Sequence, residues 1–269
     1  MTEDIPEIRL GSVLLTLLEP VEGNAKELNR WYERDHFYAG CMLGENFFSG
    51  RRWVATRALK EMRFPRQTPI TDDIGKGSFL ASYWIVDRRY DEALQWSIAQ
   101  VQQLHAQRRM DPPRDNISSG FYRYEFGAFR DKDGVPAELA LEHPFSGLGL
   151  TFVDLHAEPG NGATQRKNRA GLAAALDVSL RDSNCAMSLC LAPQPLPEAV
   201  PAYVPRVADE VLARRRLLLH FFDAPPVQCW QPFTDSLSAQ LLAHGDADIV
   251  YAAPFIPTIP GTDTYVDEV

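Results

Sequence analysis

The stretch RWYERDHF, residues 30–37, decides how this chain folds. It follows the apolar run VLLTLL of residues 13–18, which is typical of a strand covered on both faces. Leu28, Trp31 and Tyr32 recur at three- and four-residue steps, and this spacing predicts an amphipathic helix. One end of a short helix therefore carries an imidazole, a carboxylate, a phenol and an indole, which makes it the first place to look for chemistry.

The remaining sequence alternates between predicted strands and helices. The first half has the order β-α-β-β-α-β, and the second half repeats it. The predicted strands are residues 13–18, 47–57, 78–86, 119–129, 148–155, 185–191, 214–222 and 248–255. The predicted helices begin near residue 24, span 90–109, run from Gly162 to about residue 176, and span 226–243 with a break at Pro232.

This repetition predicts the domain organisation. The segment at Trp84 corresponds in order and spacing to the one at His220, and Trp96 corresponds to Trp230. We therefore predict a first repeat over residues 1–134, a linker over 135–146, and a second repeat with a C-terminal tail over 147–269. Residues 60–76 are rich in Pro, Asp and Gly, and are predicted to form either a lid or a disordered insertion.

Composition excludes several functional classes. The chain has 269 residues and a formal net charge of -9, which argues against nucleic acid as a partner because phosphate binding needs a basic surface. No apolar run approaches the roughly 18–20 residues needed to cross a bilayer, and the N-terminus lacks the pattern of a secretory signal. Four cysteines without a Cys-x-x-Cys pair predict reduced thiols, a cytoplasmic protein and no structural metal site.

An amphipathic first helix that ends in Trp31-Tyr32 and then His36 resembles the EthD-like domains of the dimeric α+β barrel superfamily. The resemblance covers residues 12–130 by pattern and residues 147–256 by element order alone. It implies an α+β fold of two fused ferredoxin-like repeats, whose two antiparallel sheets face each other as a barrel. It also implies a pocket between the sheets, a setting in bacterial catabolism or secondary metabolism, and a possible homodimer.

His36 is the main catalytic candidate, because an imidazole can act as general acid or base near neutral pH. Tyr32 lies one helical turn earlier and could hydrogen-bond it. Tyr83 and Tyr124 are candidate donors to a developing oxyanion, and the predicted substrate-binding residues are Tyr32, Arg52, Trp84, Tyr122 and Cys41. Alternatively, His36 only satisfies carbonyls at the helix C-terminus, and the aromatic residues only fill a core.

These residues favour a cofactor-independent enzyme that moves a proton on a small apolar or aromatic metabolite, as an isomerase, cyclase, lyase or monooxygenase. One alternative is a non-catalytic barrel that binds a ligand or assists another enzyme. A second alternative is a haem-binding barrel with His220 as a candidate axial ligand, although such ligands in the superfamily normally come from a helix and His220 lies in a predicted strand. His143 and His156 are predicted to be structural or exposed.

Overall fold

The computed structural model describes residues 7–110, 112–156 and 162–269. Within them, eight antiparallel strands combine with six α-helices. The strands are β1 (Leu10–Pro20), β2 (Phe47–Val54), β3 (Phe79–Val86), β4 (Arg114–Phe129), β5 (Gly147–Leu155), β6 (Cys185–Pro193), β7 (Arg215–Phe222) and β8 (Ala247–Pro257). The helices are α1 (Ala25–Trp31), α2 (Arg57–Glu61), α3 (Tyr90–Ala106), α4 (Gly162–Leu180), α5 (Asp209–Arg214) and α6 (Pro226–Gln240).

The strands pair in the order β1-β3-β2-β8-β5-β7-β6-β4, and β4 pairs back with β1, so that the sheet closes on itself. The first four strands meet the last four at two seams. One seam is short and aligns Trp53 with Pro257. The other aligns Tyr122 with Pro193 and continues to the pairing of Phe129 with Met187.

The inner face of the closed sheet is filled with apolar side chains. Strand residues from both halves meet there with residues of the 135–146 segment, among them Ala140, Leu141 and Phe145, which are almost completely buried. Trp84 anchors this segment, since its indole Nε1 donates to the carbonyl of Ala137 at 2.8 Å. The predicted location of the pocket between the sheets is therefore corrected, because side chains of the linker and of the strands already occupy that space.

The 60–76 segment is ordered and covers part of the same core. It begins within α2, and Ile74 is buried in the inner cluster. The guanidinium of Arg63 donates to the carbonyls of Ile74, Lys76 and Gly77 at 2.6–2.9 Å. This segment closes the inner core and does not line the cavity described below.

The helices cover the outer face, with α1 and α3 on the first half and α4 and α6 on the second. The predicted break at Pro232 is wrong, because α6 continues through it. Pro232 and Gln228 are both exposed, so solvent can satisfy the carbonyl that a proline leaves without its helical donor. All four cysteines are free thiols, as predicted, and the structure buries all of them. Among the described helices, none combines the length and apolarity that a membrane crossing requires.

Candidate ligand-binding site

A cavity of about 360 Å³ lies on the outer face of the first half, and we call it the outer cavity. Its floor is the outer face of β1 and β4, and its walls are α3, the segment after α1, and the connection of residues 194–208 between β6 and α5. Its apolar lining includes Leu14, Leu18, Ile98, Val101, Met110, Leu196, Val200 and Val204. Its polar lining includes His36, His105, Arg114, Asn116, Ser119 and Tyr203. An apolar hollow with a few convergent polar groups is typical of a small-molecule site.

His36 enters this wall through a π-helical segment, Tyr32–His36, which directly continues α1. The N–H of Phe37 donates to the carbonyl of Tyr32, five residues back. Single π-helical turns are rare and occur frequently at functional sites. In this turn the imidazole of His36 stacks on the indole of Trp31, with ring centroids 4.4 Å apart and planes inclined by 16°.

The His36 imidazole is neutral and incompletely bonded. Its Nδ1 is buried and has no hydrogen-bond partner among the described residues. Burial, and secondarily the positive charge of Arg114, lowers the pKa of His36 to about 3. Asp35 acts in the opposite direction, but its carboxylate is bound by the guanidinium of Arg109 and does not bond the ring. The ring therefore stays uncharged at ordinary pH, and its lone pair is available.

Behind His36 lies a pair of buried phenols. Tyr83 donates to the hydroxyl of Tyr32 at 3.2 Å, and Tyr32 packs edge-on against His36 without a hydrogen bond between them. Burial raises the pKa of Tyr83 well above its usual range, raises that of Tyr32, and raises that of the Cys41 thiol to about 12. These groups are neutral, so they can hydrogen-bond a ligand but cannot serve as bases.

The sheet divides the predicted site residues into separate groups. His36, Tyr32 and Cys41 border the outer cavity. Tyr83 and Arg52 lie behind Tyr32, and the Arg52 guanidinium carbon is 4.9 Å from the centre of the Tyr32 ring. On the opposite face of the sheet, in or against the inner core, lie Trp84, Tyr122 and Tyr124. The last three cannot share one pocket with His36, because successive strand residues point to opposite faces.

Two side chains that line the outer cavity were not predicted as site residues from the sequence. His105 of α3 and Tyr203 of the 194–208 connection both line the outer cavity, and His105 Nε2 lies 3.2 Å from the Tyr203 hydroxyl. The helical stripe of Leu94, Ile98, Val101 and His105 was a usable signal for the first. No periodicity marks the proline-rich connection, so nothing in the sequence pointed to Tyr203.

The other histidines are less suited to a ligand. His220 is fully buried on β7, where its Nδ1 lies 2.8 Å from the Ser188 hydroxyl, and it does not border the outer cavity. His156 is exposed, as predicted, and contacts Asp246 and Asp248. In the described part of the chain, His, Cys, Asp and Glu form no group of three or more that could hold a metal ion.

Comparison with known proteins finds no matching family model and no matching curated protein. Solved structures do match. An anthrone oxidase-like protein superposes with a TM-score of 0.52 and 10% identity, over 93% of this chain and 92% of its own. A candidate chlorite dismutase superposes with a TM-score of 0.52 and 11% identity, over 97% of this chain and 100% of its own. A haem-binding protein from Thermus thermophilus superposes with a TM-score of 0.50 and 11% identity, over 96% of each chain.

These similar structures are ferredoxin-like α+β barrel proteins, and at such low identity the likeness establishes the fold alone. They also correct one expectation. The prediction of a cofactor-free enzyme is contradicted, because the neighbours include a described haem-binding protein that matches over nearly its whole length.

Proposed function

We propose that this protein binds haem in the outer cavity, with His36 as the axial ligand. The observation that carries the proposal is a neutral imidazole on the wall of a largely apolar hollow of about 360 Å³. Haem iron is commonly held by a neutral histidine, and His36 belongs to a helical segment, whereas His220 belongs to a strand. The likeness to a haem-binding protein of the same fold adds support.

The donor set of the cavity fits such a group. Because Nδ1 of His36 is enclosed, Nε2 is the nitrogen left for a ligand in the cavity. Arg114 and Asn116 border the same space and can pair with carboxylate substituents. The aliphatic walls would exclude water from a macrocycle, and the bound group would supply redox or gas-binding chemistry.

The test is a titration of the purified protein with haemin, followed by absorption in the Soret region. We expect saturation at one equivalent. His36→Ala is expected to bind at least about 10-fold more weakly, as metal sites do when ligation is impaired. His244→Ala removes an exposed imidazole far along the chain and is expected to bind as the parent does. If the parent does not saturate, or if His36→Ala binds equally well, the proposal fails.

One observation favours a second candidate, the binding of an apolar small molecule without iron. A metal-bound histidine ordinarily donates its second N–H to a polar partner, and Nδ1 of His36 has none among the described residues. Native mass spectrometry of the protein as purified distinguishes the two. A mass other than haem that disappears on denaturation would favour the second candidate.

We further propose that the chain is a fused pair of EthD-like repeats, divided at residues 135–146, and that it forms a cytoplasmic homodimer. In support, the strands of the two halves lie side by side in the same order. In each half this order is the fourth, the first, the third and the second strand of that half. Light scattering coupled to size-exclusion chromatography tests the homodimer, which a mass of 30.2 kDa at all concentrations would exclude.

A further inference from the structure

We infer that Trp31 is the positioning residue for His36, and that it sets the direction in which the imidazole faces the outer cavity. The indole and the imidazole stack nearly parallel at 4.4 Å. For its effect on ligand binding, this inference rests on the proposed function. The geometry of the ring pair itself stands independently of the ligand.

The π-helical turn is what makes this stack possible. Trp31 and His36 are five residues apart, and in an α-helix they would lie about 140° apart around the axis. The hydrogen bond from the N–H of Phe37 to the carbonyl of Tyr32 widens the turn to five residues. Because a π-helical turn holds more residues than an α-helical one, residues at that separation lie closer to the same side of the helix, so the unusual backbone has a direct consequence for the ring.

Packing must orient the imidazole because hydrogen bonding does not. Its Nδ1 has no partner within the described residues, so no polar group fixes the plane of the ring. Besides Trp31, the backbone of Gly40 packs against it. A Cβ at Gly40 would lie 2.8–3.1 Å from Cε1, Nδ1 and Nε2, which places this glycine against a face of the ring.

The indole of Trp31 is itself held in place. Its Nε1 donates to the carbonyl of Arg109 at 2.8 Å, and the guanidinium carbon of Arg114 lies 4.4 Å from its ring centre. The Arg109 side chain in turn binds Asp35, the neighbour of His36 in the π-helical turn. These contacts connect Arg109, and Arg114 at the start of β4, to the histidine segment, and they give the stacking surface a fixed position.

The test compares Trp31→Leu, Trp31→Phe and the control Trp96→Leu. Trp96 is also a half-buried, helix-borne tryptophan, but its ring packs on Phe47, whereas that of Trp31 packs on His36. In ligand-free protein, NMR is expected to show NOE contacts between the His36 ring protons and the α-protons of Gly40 in the parent, in Trp31→Phe and in Trp96→Leu, and to show them weakened only in Trp31→Leu.

The second readout is haemin affinity. Trp31→Leu is expected to bind roughly 10–100-fold more weakly, as when an orienting partner of a metal-bound histidine is lost. Trp31→Phe keeps a stacking ring and should rescue most of the affinity, and Trp96→Leu should match the parent. The inference is overturned if Trp31→Leu matches the parent in both readouts, or if Trp31→Phe falls as far as Trp31→Leu. A parent that binds no haemin removes the proposed function, while the NOE contacts of the His36 ring in ligand-free protein still decide the role of Trp31.

Discussion

The indole nitrogen of Trp84 and the carbonyl oxygen of Ala137 lie 2.8 Å apart, and their hydrogen bond holds the 135–146 segment inside the closed sheet. Phe145, brought in by the same segment, packs on Phe221 of β7 at a centroid distance of 5.4 Å. With the inner face filled in this way, the hollow that His36 borders lies on the outer face of the sheet.

Arg63 is expected to be essential for stability. Its guanidinium is 2% exposed and donates to three backbone carbonyls of residues 74–77. Arg63→Met should lower the free energy of unfolding by about 3 kcal/mol or more, because buried carbonyls lose charged donors. Urea denaturation measures this. The exposed Arg66 is the matched control, and Arg66→Met should change stability by less than about 0.5 kcal/mol.

Gly171→Ala should destabilise the protein, against the usual trend. Alanine within an exposed helix normally gains about 1 kcal/mol over glycine. At this point of α4 a Cβ would lie 2.3 Å from the backbone oxygen of His244, so α4 would have to move away from the segment that follows α6. We expect a loss of about 1–3 kcal/mol in the free energy of unfolding. A gain in the melting temperature would show that the close approach is absent.

As a reference for the intrinsic preference, Ala174 is exposed on the same helix. Ala174→Gly should cost about 1 kcal/mol, the ordinary penalty of glycine in a helix. Both substitutions are therefore predicted to lower stability, although one adds a methyl group to the helix and the other removes one. This separates the effect of packing at Gly171 from the intrinsic helix propensity of alanine and glycine.

Acid should destabilise the fold through His220, which is fully buried, and His36, which is partly buried. Burial lowers the pKa of both His36 and His220 to about 3, whereas in the unfolded chain it is about 6.5. Between these values the unfolded state binds more protons, so stability falls as the pH falls. For the fully buried His220 the slope is about 1.4 kcal/mol per pH unit below pH 6. Denaturation series from pH 7 to pH 4 should be shallower in His36→Gln than in the parent protein.

His156 should act in the opposite sense. Hydrogen bonds to Asp248 and Asp246 raise its pKa, so its contribution is fully present below about pH 6.5 and is lost as the pH rises through the folded value. Because the pair is exposed, His156→Ala should cost less than about 1 kcal/mol. Denaturation should detect this cost at pH 5.5 and not at pH 9, and an equal cost at both would contradict the assignment.

The order of elements could be predicted from the sequence because apolar runs and glycine or proline breaks mark each strand. The predicted strands at residues 148–155 and 214–222 match β5 and β7 to within one residue. It was harder to predict which face of the sheet each strand side chain lies on. All eight residues of β3 are buried, so no alternation of polar and apolar residues shows that Tyr83 faces outward and Trp84 inward.

Local spacing in the sequence accounts for only part of the lining of the outer cavity. His36, Tyr32 and Cys41 lie close together in the sequence and border one cavity. The π-helical turn was not foreseen, because its residues also fit a 3.6-residue period over so short a segment. Tyr203 comes from the other half of the chain, and only the fold brings it next to His105.

The five-residue turn at Tyr32–His36 also bears on insertions and deletions in the histidine segment. Removing one residue between Trp31 and His36 would leave the two rings four residues apart, a spacing that an ordinary α-helix brings to one face. Adding one residue would set them six apart, about 120° from each other around an α-helical axis. The segment should therefore tolerate a deletion of one residue better than an insertion of one.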